Sequence, residues 1–135
     1  MTEHGGHICL CVALFKKRLE PTRLTLVEGA GGLLAPLCPD YLVLDLIKEL
    51  KLPVLVVCRS SLGAVNHTLL TLERLRREGL NLVGLIINHL NPTPGIAEEF
   101  FLSQLQEFDS VTILGEVPYF ENRPASPRDY RKIAD

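Results

Sequence analysis

The stretch of this chain best suited to chemistry is Val27-Glu28-Gly29-Ala30-Gly31-Gly32, which follows the apolar run Leu24-Thr25-Leu26 and leads into Leu33-Leu34-Ala35-Pro36. An apolar run that stops at a carboxylate and glycines reads as a buried strand, Leu24 to Glu28, that ends at a site. Ligands of open parallel sheets gather outside the carboxyl ends of strands. Glu28 then faces that crevice. A carboxylate there suits Mg²⁺, which is usually held by one or two carboxylates together with substrate phosphates, and the glycines let successive backbone N–H groups converge on an anion. The same six residues also fit a strand capped by a flexible glycine turn, and the motif alone does not choose between the two.

The other chemistry-bearing residues are dispersed. Cys9, Cys11, Cys38 and Cys58 form no C-x-x-C pair and sit mostly in apolar runs, as reduced, buried thiols of a cytosolic protein do. His4, His7, His67 and His89 show neither H-x-x-x-H nor H-E-x-x-H spacing. Arg74, Arg76 and Arg77 are interleaved with Glu73 and Glu78, the pattern of a solvated helix face rather than a binding patch.

At 135 residues, 47% hydrophobic, with a formal net charge of −2, the chain reads as a single globular domain able to bury a core. Near-neutral charge without a basic block argues against a nucleic-acid partner. The apolar runs fall short of the roughly 20 residues of a membrane span, and no leader pattern opens the chain. A cytoplasmic location follows from these expectations.

The elements that must position the site alternate between two periods. Ile8, Cys11, Val12, Phe15 and Leu19 make one helical stripe, ended by Glu20-Pro21. After the Leu24–Glu28 strand, Pro39-Asp40 offers a helix start for a stripe of Leu42, Val43, Leu46, Ile47 and Leu50. Pro53 to Cys58 is apolar throughout, as expected of a central strand paired on both sides and covered on both faces. A helix then begins at Gly63-Ala64-Val65-Asn66, its first-turn N–H groups directed above the sheet; Val65, Leu69, Leu72 and Leu75 face inward, and Gly79 stops it. Leu82 to Asn88 is a further buried strand whose last residue offers an amide. Thr93-Pro94 would cap a helix with Ile96, Phe100, Leu105 and Phe108 inward, and Val111 to Leu114 would form the last strand, left through Gly115-Glu116-Val117-Pro118. Residues 121–135 read mostly as a loop tail. The fold class is therefore α/β, a doubly wound, mostly parallel sheet with right-handed crossovers.

Val27 to Leu34, Pro53 to Val57, the block Leu62-Gly63-Ala64-Val65-Asn66-His67-Thr68-Leu69-Leu70-Thr71, and Gly115-Glu116-Val117-Pro118 resemble dethiobiotin synthetase in order and spacing, over roughly residues 8 to 120. The helix-opening block is the most specific, because a glycine-led start followed by Asn-His-Thr-Leu-Leu-Thr has no generic structural reason to occur. The resemblance implies a P-loop NTPase-like fold and a homodimeric, ATP- and Mg²⁺-dependent ligase of biotin synthesis that closes 7,8-diaminononanoate into dethiobiotin. It assigns Glu28 to Mg²⁺ and to the nucleotide site, with Gly29, Ala30 and Gly31 beside the phosphates. Gly63, Ala64, Val65 and Asn66 would receive the substrate carboxylate. Asn88 would contact adenine, with His89, Pro118, Tyr119 and Phe120 nearby.

One departure is large. No G-x-x-x-x-G-K-S/T occurs in the 135 residues, and the phosphate loop, substrate lysine and further Mg²⁺ ligands of the resembled family would precede Met1. A helix N-terminus contributes about 0.3–1 kcal/mol towards an anion, against about 8 kcal/mol for micromolar binding, so the chain alone is expected to be inactive and to hold ATP weakly. Three arrangements fit: the C-terminal portion of a dethiobiotin synthetase, a non-catalytic relic or interaction module, and one half of a split enzyme. An apolar strand at 24–28 without its neighbour would also expose an edge and favour association.

Overall fold

The computed structural model describes residues 24–29 and 31–121, and divides into two compact units, Met1–Leu52 and Pro53–Asp135. The expected helix at 8–19, Ala30, and all of the 121–135 tail except Glu121 lie outside the described residues.

In the first unit, residues 24–29 form no strand. Leu24 and Leu26 are 92% and 83% exposed. The reading of Leu24–Glu28 as a buried strand is thereby corrected: a strand is held by pairing on at least one edge, and no described strand pairs with this run. The regular structure starts later, with a small antiparallel hairpin, β1 (Pro36–Cys38) and β2 (Tyr41–Leu42). Pro39-Asp40 is its turn, Asp40 taking a left-handed φ of 61°, and not a helix start. Helix α1 (Val43–Leu50) follows directly, the Leu42 N–H donating to Asp45 Oδ2 at 2.8 Å. It buries Val43 and also Leu44, which the stripe read from the sequence omitted, while Leu46, Ile47 and Leu50 are half-buried. Tyr41 donates its hydroxyl to Glu49 at 2.7 Å, and desolvation followed by that carboxylate raises the phenol above its ordinary range.

The second unit is a three-stranded parallel sheet in the order β3 (Val54–Arg59), β4 (Leu82–Asn88), β5 (Ile113–Val117). The strand nearest the N-terminus, expected at the centre, is an edge of the described sheet; the centre is β4. Helices α2 (Ala64–Arg77) and α3 (Ile96–Phe108) supply the two crossovers. Their side chains Ala64, Phe101 and Leu105 close over Leu85 and Ile87, with Val56, Cys58, Leu69, Leu102 and Ile113 packed around them. On the other face Leu55, Val57 and Leu114 are exposed, so the covering expected on both sides of β3 is observed on one. Burial raises the pKa of the Cys58 thiol.

Two sequence-based assignments shift. Helix α3 begins after Gly95, whose N–H donates to Glu98 Oε2 at 3.1 Å, and its inward residues are Phe101 and Leu105; Ile96, Phe100 and Phe108 are exposed. Strand β5 starts two residues later than read and takes in Gly115-Glu116-Val117. For β5 the parallel pairing to β4 sets the frame, aligning Leu85 with Ile113 and Asn88 with Val117; for α3 the packing of Phe101 and Leu105 with Leu85 and Ile87 does, and one helical residue of rotation moves a side chain by about 100°.

At Gly84 the β5 side of the sheet leaves no room for a side chain. A Cβ there would lie 2.8 Å from both Leu114 Cγ and the Thr112 carbonyl oxygen, the latter already accepting the Leu85 N–H. Gly84→Ala is therefore expected to cost about 1–3 kcal/mol, measured by urea denaturation; an unchanged midpoint would mean that the two strands separate freely.

Asp109, at the C-terminus of α3, receives both guanidinium N–H groups of Arg76 at the C-terminal end of α2 and accepts the Val111 N–H at 2.8 Å. The Arg76 bond holds the Asp109 carboxyl below its ordinary range. Because the folded pKa is depressed, this contribution is complete above the ordinary carboxylate value of about 4 and is lost as pH falls through the lowered value. With Arg76 half-exposed and screened, Asp109→Asn should lose about 1 kcal/mol at pH 7, and the gap to the unsubstituted chain should narrow at pH 3. A gap that stays constant with pH would remove the ion pair from the account.

Candidate functional site

The strands of the second unit end level with one another, as parallel strands in register must, and three polar side chains meet there. Ser60 follows β3, His89 follows β4 and Glu116 lies near the end of β5. Ser60 Oγ is 2.8 Å from His89 Nδ1, and His89 Nε2 is 2.7 Å from Glu116 Oε2. A carboxylate only accepts, so Nε2 carries the proton; in the neutral ring Nδ1 then accepts from the Ser60 hydroxyl. Ser60 is fully buried, and half-buried His89 bridges it to the more exposed Glu116. The backbone is tied at the same level: the Ser60 N–H donates to the Asn88 carbonyl at 3.4 Å and the His89 N–H to the Val117 carbonyl at 2.9 Å.

This backbone bond brings Asn88 and His89 beside the segment that continues into Pro118, Tyr119 and Phe120. Asn88 and Phe120 are half-buried and Pro118 and Tyr119 exposed. The five residues that the sequence resemblance assigned to the nucleotide base thus belong to two adjacent strand ends. Ser60 and Glu116 were not among the expected site residues. Their signal was positional, since each lies within one residue of the end of a strand of a parallel sheet.

A second feature lies at the start of α2. Gly63 adopts a left-handed φ of 82° and the Ala64 N–H donates to the Ser61 carbonyl at 3.0 Å, so the first N–H of the helix is already satisfied. Gly63 and Val65 line an open groove of about 390 Å³ with Ser61, Leu62, Ile96, Ala97, Phe100 and Gln104. Ala64 is buried in the core, and Asn66 is exposed. The groove is mainly apolar, with Leu62 and Ile96 almost fully exposed.

Glu28, Gly29 and Gly31 belong to the first unit. Glu28 is exposed on irregular backbone. Gly29 has a packing reason of its own, because a Cβ there would sit 2.9 Å from Val43 Cγ1 at the start of α1. Among the described residues no three His, Cys, Asp or Glu side chains converge on a metal-sized site, so these residues do not build a Mg²⁺ cage by themselves. No helix among them is long and apolar enough to cross a membrane.

Residues 6–124 match the family model described as AAA domain. The chain belongs to this family. Its curated relatives are proteins named ATP-dependent dethiobiotin synthetase BioD: that of Bacillus licheniformis is 40% identical over 113 residues, covering 84% of this chain and 47% of the relative. That of Methanococcus vannielii is 43% identical over 107 residues, 78% and 50% of the two chains. That of Bacillus velezensis is 42% identical over 97 residues, 72% and 42%. The resemblance to the dethiobiotin synthetase family and the α/β fold class read from the sequence are borne out. The chain spans about half the length of the curated relatives it matches.

Removing the buried Ser60 hydroxyl leaves Nδ1 of His89 without its donor in a place water reaches poorly. Ser60→Ala should therefore lower stability by about 1–2 kcal/mol, read as a shift of the denaturation midpoint; a neutral result would show that the hydroxyl contributes nothing to the folded state.

Proposed function

We propose that this chain is the C-terminal portion of an ATP-dependent dethiobiotin synthetase and carries its nucleotide-base and substrate-carboxylate contacts. The observation that carries the reading is the pairing of the Asn88-His89 strand end with Val117, just ahead of Pro118, which brings the residues matched to adenine recognition to neighbouring strand ends of a parallel sheet. Asn88 has the donor and acceptor that an adenine edge requires, and Tyr119 and Phe120 offer apolar ring surface. The glycine-led start of α2 suits a carboxylate at Gly63 to Asn66. Exposed Leu62, Ile96 and Phe100 beside it support a homodimer through that face, with the apolar chain of 7,8-diaminononanoate against the groove.

Glu28 would serve as one Mg²⁺ ligand, with Gly29, Ala30 and Gly31 near the phosphates. Bound Mg²⁺ would supply charge neutralisation at those phosphates. Within this chain the part played is to bind and orient the base and the carboxylate. The protein would act in the cytoplasm, on small molecules, without a nucleic-acid or membrane partner.

Two measurements test this. ATP titrated with Mg²⁺ into the 135-residue chain should bind more weakly than micromolar but more tightly than GTP, and Asn88→Ala should abolish the preference. Replacing the matching segment of the Bacillus licheniformis synthetase with residues 24–121 of this chain should leave an enzyme that forms dethiobiotin. In that chimera Asn88→Ala should raise the KM for ATP about tenfold, the equivalent of about 1.4 kcal/mol of binding. A folded chimera without product, or equal binding of ATP and GTP, would overturn the proposal.

A further inference from the structure

Both ring nitrogens of His89 are occupied within the protein, one by Ser60 and one by Glu116. A nucleotide bound at these strand ends therefore meets no free ring donor or acceptor at His89; what remains open to a ligand is the ring face and the side-chain amide of the neighbouring Asn88. Resting on the nucleotide reading above, we propose that Ser60 and Glu116 are positioning residues for base recognition: they hold His89 as a fixed strut between β3 and β5, and the strut sets the amide of Asn88 against the 117–120 segment.

Geometry supports this assignment over a simple surface ion pair. The row runs transverse to the strands, and one imidazole ring holds a partner from each of the two strands that flank β4. One end is anchored in the core by a hydroxyl with no solvent exposure, and the other ends on a carboxylate that is 46% exposed. An anchored end removes the freedom that makes surface pairs weak, and a connected row of polar groups orders its members more than separate pairs do. The nucleophile-like order of Ser60, His89 and Glu116 does not make a hydrolytic site, because a fully buried hydroxyl has no path to a substrate.

The test compares Glu116→Ala with Glu116→Gln in the 135-residue chain. Glutamine keeps an acceptor for Nε2–H and alanine does not. Nitrogen-15 spectra of the His89 ring at pH 8 should report the Nε2–H tautomer in the unsubstituted chain and in Glu116→Gln. Glu116→Ala should show a mixture of tautomers. In parallel, AMP affinity should fall about fivefold or more in Glu116→Ala, roughly 1 kcal/mol, and stay near the original value in Glu116→Gln, with melting temperatures unchanged because Glu116 is on the surface. A single Nε2–H tautomer retained in Glu116→Ala together with full AMP affinity would overturn the proposal, as would equal loss of affinity in both variants. Absence of adenine-nucleotide binding by the unsubstituted chain would instead overturn the nucleotide reading, and the ring spectra would still decide whether the strut exists.

Discussion

Strand β4 is the constraint on which the second unit depends. It is paired in parallel on both sides, and its neighbours reach it only through the crossover helices α2 and α3. Parallel pairing leaves little freedom of register once one face is buried, because a slip of one residue would turn Leu85 and Ile87 out of the core. Gly84 adds a steric limit, because Leu114 and the Thr112 carbonyl occupy the space a side chain there would need. Level strand ends follow from that register, and everything that makes the site depends on the ends being level.

Chemistry concentrates where the ladder stops. Past the last paired residues the backbone groups need other partners, and the polar side chains of Ser60, His89 and Glu116 lie within reach of one another only because three strands deliver them to one line. The same arrangement puts Asn88 next to the approach to Pro118. An α/β sheet thus gathers polar groups on one line from residues about 28 positions apart in the chain, here 60, 88 and 116, each contributed by one turn of the strand–helix repeat.

Helix faces are governed by a different balance. In α3 the apolar residues run almost continuously from Phe100 to Leu102, so the sequence offers two competing stripes, and packing against Leu85 and Ile113 selects Phe101 and Leu105. The unselected residues Ile96 and Phe100 remain exposed and form one wall of the groove at the head of α2. In α2 reading and structure agree on Leu72 and Leu75, while the buried positions nearer its start are Ala64 and Thr68, with Val65 and Leu69 half-buried beside them.

The sequence by itself determined the α/β class, the two crossover helices, β3 and β4 almost to the residue, and family membership, because long periodic runs and a glycine-led helix start are local signals. Tertiary structure alone decided three further matters. Whether Leu24 to Val27 is a strand depends on a neighbour to accept its hydrogen bonds, which no local pattern encodes. Whether Pro39-Asp40 opens a helix or closes a hairpin depends on Pro36 finding Leu42 across the turn. That Ser60, His89 and Glu116 belong together is invisible along the chain, since only the register of three parallel strands brings a hydroxyl, an imidazole and a carboxylate, 27 and 29 residues apart, within hydrogen-bonding distance.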